Sequence, residues 1–249
     1  MHEVSPEVTP GVVPDGASEV APEGASEGTP AITPQIVPVR SLEHLLAHPA
    51  IWRGRSVARS VTFGTGCRRL DAALPGGGWP AAGLTEILTA RSGLGELRLL
   101  IPLLVRLGRQ TPPRWATWVS PPFEPYAPAL TAAGVPLERQ LVVRTADPAW
   151  AIEQALDSGG CALALAWFGP RVAATVTALR RLQLAAQRSN APVFLFRPLA
   201  EAARASPAEL RLSFAPSPGG GRLQLLKSRG GARQPLELRW QEWGDHGAA

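Results

Sequence analysis

Apolar and polar positions change rhythm along this chain. Residues 1–39 show neither the alternation of a half-buried strand nor the spacing of an amphipathic helix. They hold seven prolines and a G-A-S-E repeated at 16–19 and 24–27. Such a stretch predicts a disordered, acidic, Pro-rich tail. Periodicity begins at S-L-E-H-L-L-A-H-P. Leu42, Leu45 and Leu46 form one face, Ser41 stands where a cap belongs and Pro49 follows the end, which predicts a helix over 41–48. A linker carries this segment (40–60) to the main body, expected over 61–243, with a short end at 244–249.

From residue 84 short apolar runs alternate with helical stretches. The pattern predicts strands at 84–88, 115–119, 141–144, 161–167 and 193–197, with helices at 94–109, 124–133, 148–157 and 171–188. Asp147-Pro148 is a helix start, with Asp as cap and Pro at the first helical position. Strand–helix alternation predicts an α/β fold with a mostly parallel sheet flanked by helices. The end differs. L-R-L-S-F, R-L-Q-L-L-K and L-E-L-R-W, joined by Gly-rich turns, predict an antiparallel extension of that sheet.

Composition sharpens this picture in two ways. The chain has 249 residues, 45% of them hydrophobic, enough for one large core. Its net charge of +5 is unevenly spread: residues 1–39 carry six acids and no Lys or Arg, leaving all 25 basic residues against 14 acids beyond. An acidic tail on a basic body points to contact with an anionic surface. Arg180, Arg181, Arg222 and Arg233 are the candidate DNA contacts, although no aromatic-basic stacking motif accompanies them. Two distant cysteines, Cys67 and Cys161, and an acidic start without a leader pattern point to a reducing, cytoplasmic setting. The longest apolar run, Cys161 to Phe168, is far short of the roughly 18 residues of a membrane span.

The candidate chemistry lies at T-A-R-S-G-L-G-E-L-R-L-L, residues 89–100. A small-residue loop between a strand and a helix is the layout of a phosphate loop, G-x-x-x-x-G-K-[ST]. Here Ser92, Gly93 and Gly95 keep the loop, but Glu96 stands at the Lys position and Leu97 at the hydroxyl position. Two unit charges about 4 Å apart interact by about 4 kcal/mol at an effective dielectric of about 20, so exchanging a cation for an anion opposes phosphate binding. The loop therefore reads as degenerate, the chain as no enzyme and cofactors as none. Metal is not expected either: His44 and His48 lie four apart on one helix, but no Glu follows the first and no third ligand group stands nearby. Most tryptophans, among them Trp79, Trp115, Trp118, Trp150 and Trp167, read as packing, while Trp240 and Trp243 read as a partner anchor or a fraying end.

The segment T-G-C-R-R-L-D-A-A-L-P-G-G-G-W-P followed by a strand resembles the start of the RecA ATPase core. W-R-G (52–54), L-P-G-G-G-W-P (74–80), G-E-L-R-L-L-I-P (95–102), P-P-F-E-P-Y-A-P-A-L (121–130), W-A-I-E-Q-A-L-D-S-G (150–159), R-R-L-Q-L-A-A (180–186) and L-K-S-R-G-G (226–231) are similar to the ImuA family of RecA-like proteins. The resemblance implies a RecA-like core and a non-catalytic adaptor in SOS mutagenesis and translesion synthesis, associated with the nucleoid during DNA damage. The partners implied are RecA, ImuB and, through ImuB, an error-prone polymerase III alpha subunit. It also implies that a Walker-type Asp is replaced by Trp167, and that the water-activating Glu falls near Pro122, with Glu124 displaced. In RecA-like filaments basic residues at the matching turn reach a neighbour's phosphates, which nominates Lys227 and Arg229, with Leu42, Leu45 and Leu46 on the docking helix. The alternatives are an ATP-dependent recombination mediator and a SulA-type inhibitor of cell division, the latter distinguished by binding to the division GTPase FtsZ.

Overall fold

The run G-L-T-E-I-L-T has no polar face to offer solvent, and the strand it forms, β3 (Gly83–Thr89), is buried along its whole length. The computed structural model describes residues 61–169, 172, 174–228 and 234–243. The expected tail, the 41–48 helix with Leu42, Leu45 and Leu46, His44, His48, Arg229 and Arg233 lie outside the described residues.

Two short strands, β1 (Thr62–Phe63) and β2 (Trp79–Pro80), pair antiparallel beside helix α1 (Arg68–Ala73). The other strands are β4 (Trp115–Val119), β5 (Gln140–Val143), β6 (Cys161–Trp167), β7 (Pro192–Pro198), β8 (Leu210–Ser217), β9 (Gly220–Lys227) and β10 (Leu236–Arg239). With β3 they form one sheet in the order β10-β9-β8-β3-β7-β6-β4-β5. The sheet is mixed. Pairs among β8, β3, β7, β6, β4 and β5 are parallel, and β8–β9 and β9–β10 are antiparallel.

The helices are α2 (Ile101–Gly108), α3 (Ala127–Ala132), α4 (Pro148–Asp157) and α5 (Val176–Ser189). They cover both faces of the sheet. Along β7, Val193 and Leu195 pack with α4 and α5, while Phe194 and Phe196 pack with α2 and Trp79. Period-two alternation with both sides apolar is what a doubly covered strand requires. Asp147 caps α4 by accepting from the Trp150 amide at 3.0 Å, and Thr175 caps α5 by accepting from the Ala178 amide at 3.1 Å.

Two expectations are corrected here. The helix expected over 94–109 is a tight 3₁₀ turn, Glu96–Leu100, followed by α2. Pro102 lacks an amide proton and fits only the first turn of an α-helix, so the regular helix starts at Ile101. The RecA-like core is also corrected. The sheet is a mixed eight-stranded one, and the loop after β3 closes on a carboxylate of the chain itself instead of opening as a phosphate cradle.

Candidate functional site

The loop after β3 is shaped by two glycines in the left-handed region, Gly93 at φ +81° and Gly95 at φ +97°. Such turns aim successive amides at one point and make an anion-binding concavity. That point is occupied. The Glu96 side chain, 4% exposed, accepts from the Gly93 amide at 2.9 Å and the Leu94 amide at 2.7 Å. Phe123 packs over Gly93, leaving 3.1 Å to where a Cβ would stand, and Trp240 lies near Gly95. Ser92 is half-buried beside the loop. Ser92, Gly93, Gly95 and Glu96 are thus brought together as a loop sealed by its own acid.

A second acid is buried in β3 itself. Glu86, 0% exposed, accepts from Arg197 of β7 at 2.9 Å, from Arg211 of β8 at 2.7 Å and from the Ser206 hydroxyl at 2.6 Å. Arg197 also reaches Glu201 at 2.9 Å, and Arg211 donates to the carbonyls of Glu201 and Arg204 at 2.9 Å. This network ties the turn 199–206 to the middle of β3, the end of β7 and the start of β8. Lys227, nominated for contacts in trans, donates to the Ser206 carbonyl at 2.8 Å.

Between the loop and the ends of the parallel strands lies a cleft of about 610 Å³. Its lining includes Arg91, Ser92, Ser120, Thr145, Trp167 and Phe196. Trp167 stacks on Phe196 with ring centroids 4.6 Å apart and on Trp118 at 5.9 Å. Ser120 holds φ +50°, its amide donating to the Val143 carbonyl at 2.8 Å and its hydroxyl to the Thr145 carbonyl at 3.1 Å. Arg91 is exposed and, among the described residues, pairs with no carboxylate.

The candidate DNA contacts fall on separate elements. Arg180 and Arg181 are on α5 and Arg222 is on β9; Arg181 pairs with Glu153 and Arg222 with Glu237. Trp115 and Trp150 are exposed, in contrast to the packing expected of them, because Trp115 opens β4 and Trp150 lies in the first turn of α4, both at the surface. Trp240 and Trp243 are packed: Trp240 lies against Phe214 beneath the Arg98 guanidinium, and the Trp243 indole donates to the Thr65 carbonyl at 3.2 Å. Burial pushes the thiols of Cys67 and Cys161 up from their ordinary value. Among the described residues no group of three His, Cys, Asp or Glu gathers as for a metal, and no helix is long and apolar enough to cross a membrane.

Glu86, Arg197 and Ser120 escaped the sequence reading. The detectable signal is a carboxylate inside an apolar strand, which a buried position tolerates only beside a cation.

The family model described as "Cell division inhibitor SulA" matches residues 84–192. The SulA of Edwardsiella piscicida is 37% identical over 105 residues, 40% of this chain and 58% of that protein. The SulA of Yersinia enterocolitica is 31% identical over 121 residues, 47% of this chain and 69% of that protein. The chain belongs to the SulA family. A crystal structure of SulA from Pseudomonas aeruginosa is 27% identical, with a TM-score of 0.38, covering 46% of this chain and 97% of that one. The chain spans less than two thirds of the length of the Edwardsiella relative.

Membership of the SulA family corrects the ImuA resemblance. Four of the stretches that carried it, at 95–102, 121–130, 150–159 and 180–186, lie inside the matched residues 84–192. They shape strand ends and helix faces, so they report the fold and not the partner. The three outside, at 52–54, 74–80 and 226–231, are short and Gly-rich or basic. The partners inferred from that resemblance, RecA, ImuB and the polymerase III alpha subunit, are withdrawn with it, as are translesion synthesis and nucleoid association.

Proposed function

We propose that this protein is a non-enzymatic inhibitor of cell division, acting in the cytoplasm during the SOS response by binding the division GTPase FtsZ. The observation that carries this reading is the continuous SulA match over residues 84–192, which runs from β3 through α5 to the start of β7. The sealed loop supports the non-enzymatic part, because the amides that would meet a phosphate already bond Glu96. Inhibition by binding needs a surface and no reacting group.

The test uses the full chain with purified FtsZ, following GTP hydrolysis and polymer light scattering. The expected result is a dose-dependent fall in both, with direct association in sedimentation. Unchanged hydrolysis and assembly at excess inhibitor overturn the reading.

A further inference from the structure

We propose that the cleft at the carboxyl ends of the parallel strands is a binding site for an apolar monoanion, such as an aromatic carboxylate or sulfonate. This goes beyond inhibition of division and does not depend on it. The cleft's volume, about 610 Å³, lies in the range that encloses a small organic ligand. It opens where the crossovers leave adjacent strand ends, the usual ligand position of a parallel α/β sheet. Its lining joins rings to a few polar groups. Trp167 and Phe196 stack on each other with nearly parallel rings, 11° apart, and their edges give the cleft an apolar wall. The hydroxyl-bearing residues Ser92, Ser120 and Thr145 lie on the lining.

Charge selects the ligand. Among the described lining residues, Arg197 is held by Glu86 and Glu201, which leaves Arg91 as the cation without an ion pair. The loop amides of Gly93 and Leu94 are already taken by Glu96. Among the described residues, one available guanidinium beside a filled anion loop suits a single negative charge better than a polyphosphate. Ser120 adds an independent mark. A serine in the left-handed region is strained, and such strain gathers where a site needs fixed geometry. Its two hydrogen bonds, to the Val143 and Thr145 carbonyls, hold the mouth of the cleft between β4 and the segment after β5.

The experiment titrates the full-length protein with anilinonaphthalene sulfonate, an aromatic monoanion whose emission rises in an apolar site. The expected result is saturable binding displaced by naphthalene carboxylate and not by ATP. Arg91→Glu weakens binding at least tenfold, and Arg91→Gln weakens it less. Arg109→Glu, the same charge change on an exposed residue after α2, leaves it unchanged. Arg91 pairs with no carboxylate among the described residues, and melting curves of the variants confirm that they fold. Equal effects of the Arg91 and Arg109 changes, displacement by ATP as effective as by the carboxylate, or absence of saturable binding overturn the proposal.

Discussion

Glu96 does at the residue scale what a bound anion does in an open phosphate loop: it satisfies amides that the turn exposes. Removing it leaves the Gly93 and Leu94 amides without an acceptor. A buried polar group stripped of its partner costs about 1–3 kcal/mol. Glu96→Ala is therefore expected to lower stability by about 2 kcal/mol, read as a lower urea midpoint with unchanged slope, and Glu96→Gln by less. A midpoint unmoved by Glu96→Ala means the loop amides find water instead. Glu86 is a sterner case. Its removal leaves Arg197 and Arg211 buried against an apolar sheet, and breaking such a pair costs about 3–5 kcal/mol. Glu86→Ala is expected to fall in that range, because Arg211 loses its carboxylate partner while Arg197 keeps Glu201, and thermal unfolding checks it. The buried thiols give a pH dependence. Their folded pKa lies above the ordinary 9.0, so their contribution is full below pH 9.0 and lost as pH rises through the folded value. Stability is expected to fall in the alkaline range, and Cys67→Ala with Cys161→Ala to flatten that fall.

At the scale of elements, the strands and α4 were legible because both rest on strong local signals. Doubly covered strands are continuous apolar runs, and Asp147-Pro148 fixes the start of α4. The antiparallel pair β1–β2 was not, since two-residue strands carry no periodicity. What fixes it is backbone proximity: a Cβ on Gly78 would lie 2.2 Å from the Phe63 carbonyl oxygen. Gly78→Ala must displace backbone, so it is expected to destabilise the protein by more than the roughly 1 kcal/mol that separates Gly from Ala in ordinary positions. Amide exchange of Phe63 and Trp79 is expected to accelerate ahead of that in β3. Equal acceleration across the sheet places the strain elsewhere. The cleft was illegible for a different reason. Its lining comes from single residues just beyond the ends of β3, β4 and β5 and at the ends of β6 and β7, positions that only the strand order brings together.

For the whole molecule, sequence motifs identified a strand–helix architecture but attached the wrong family to it. Stretches such as G-E-L-R-L-L-I-P encode a turn, a proline-limited helix start and a buried face, features that chains of different function share. A proposed inhibitor without a reacting group has a kinetic consequence. It acts by occupying its target, so each molecule silences a fixed number of FtsZ molecules, whereas an enzyme that modified FtsZ would turn over. Titrating this protein into FtsZ well above their dissociation constant is expected to give a linear fall in GTP hydrolysis that breaks at a fixed molar ratio. Dilution then restores activity as the complex dissociates. Inhibition that deepens with time at a small molar fraction, and survives dilution, requires catalysis and overturns the binding mechanism.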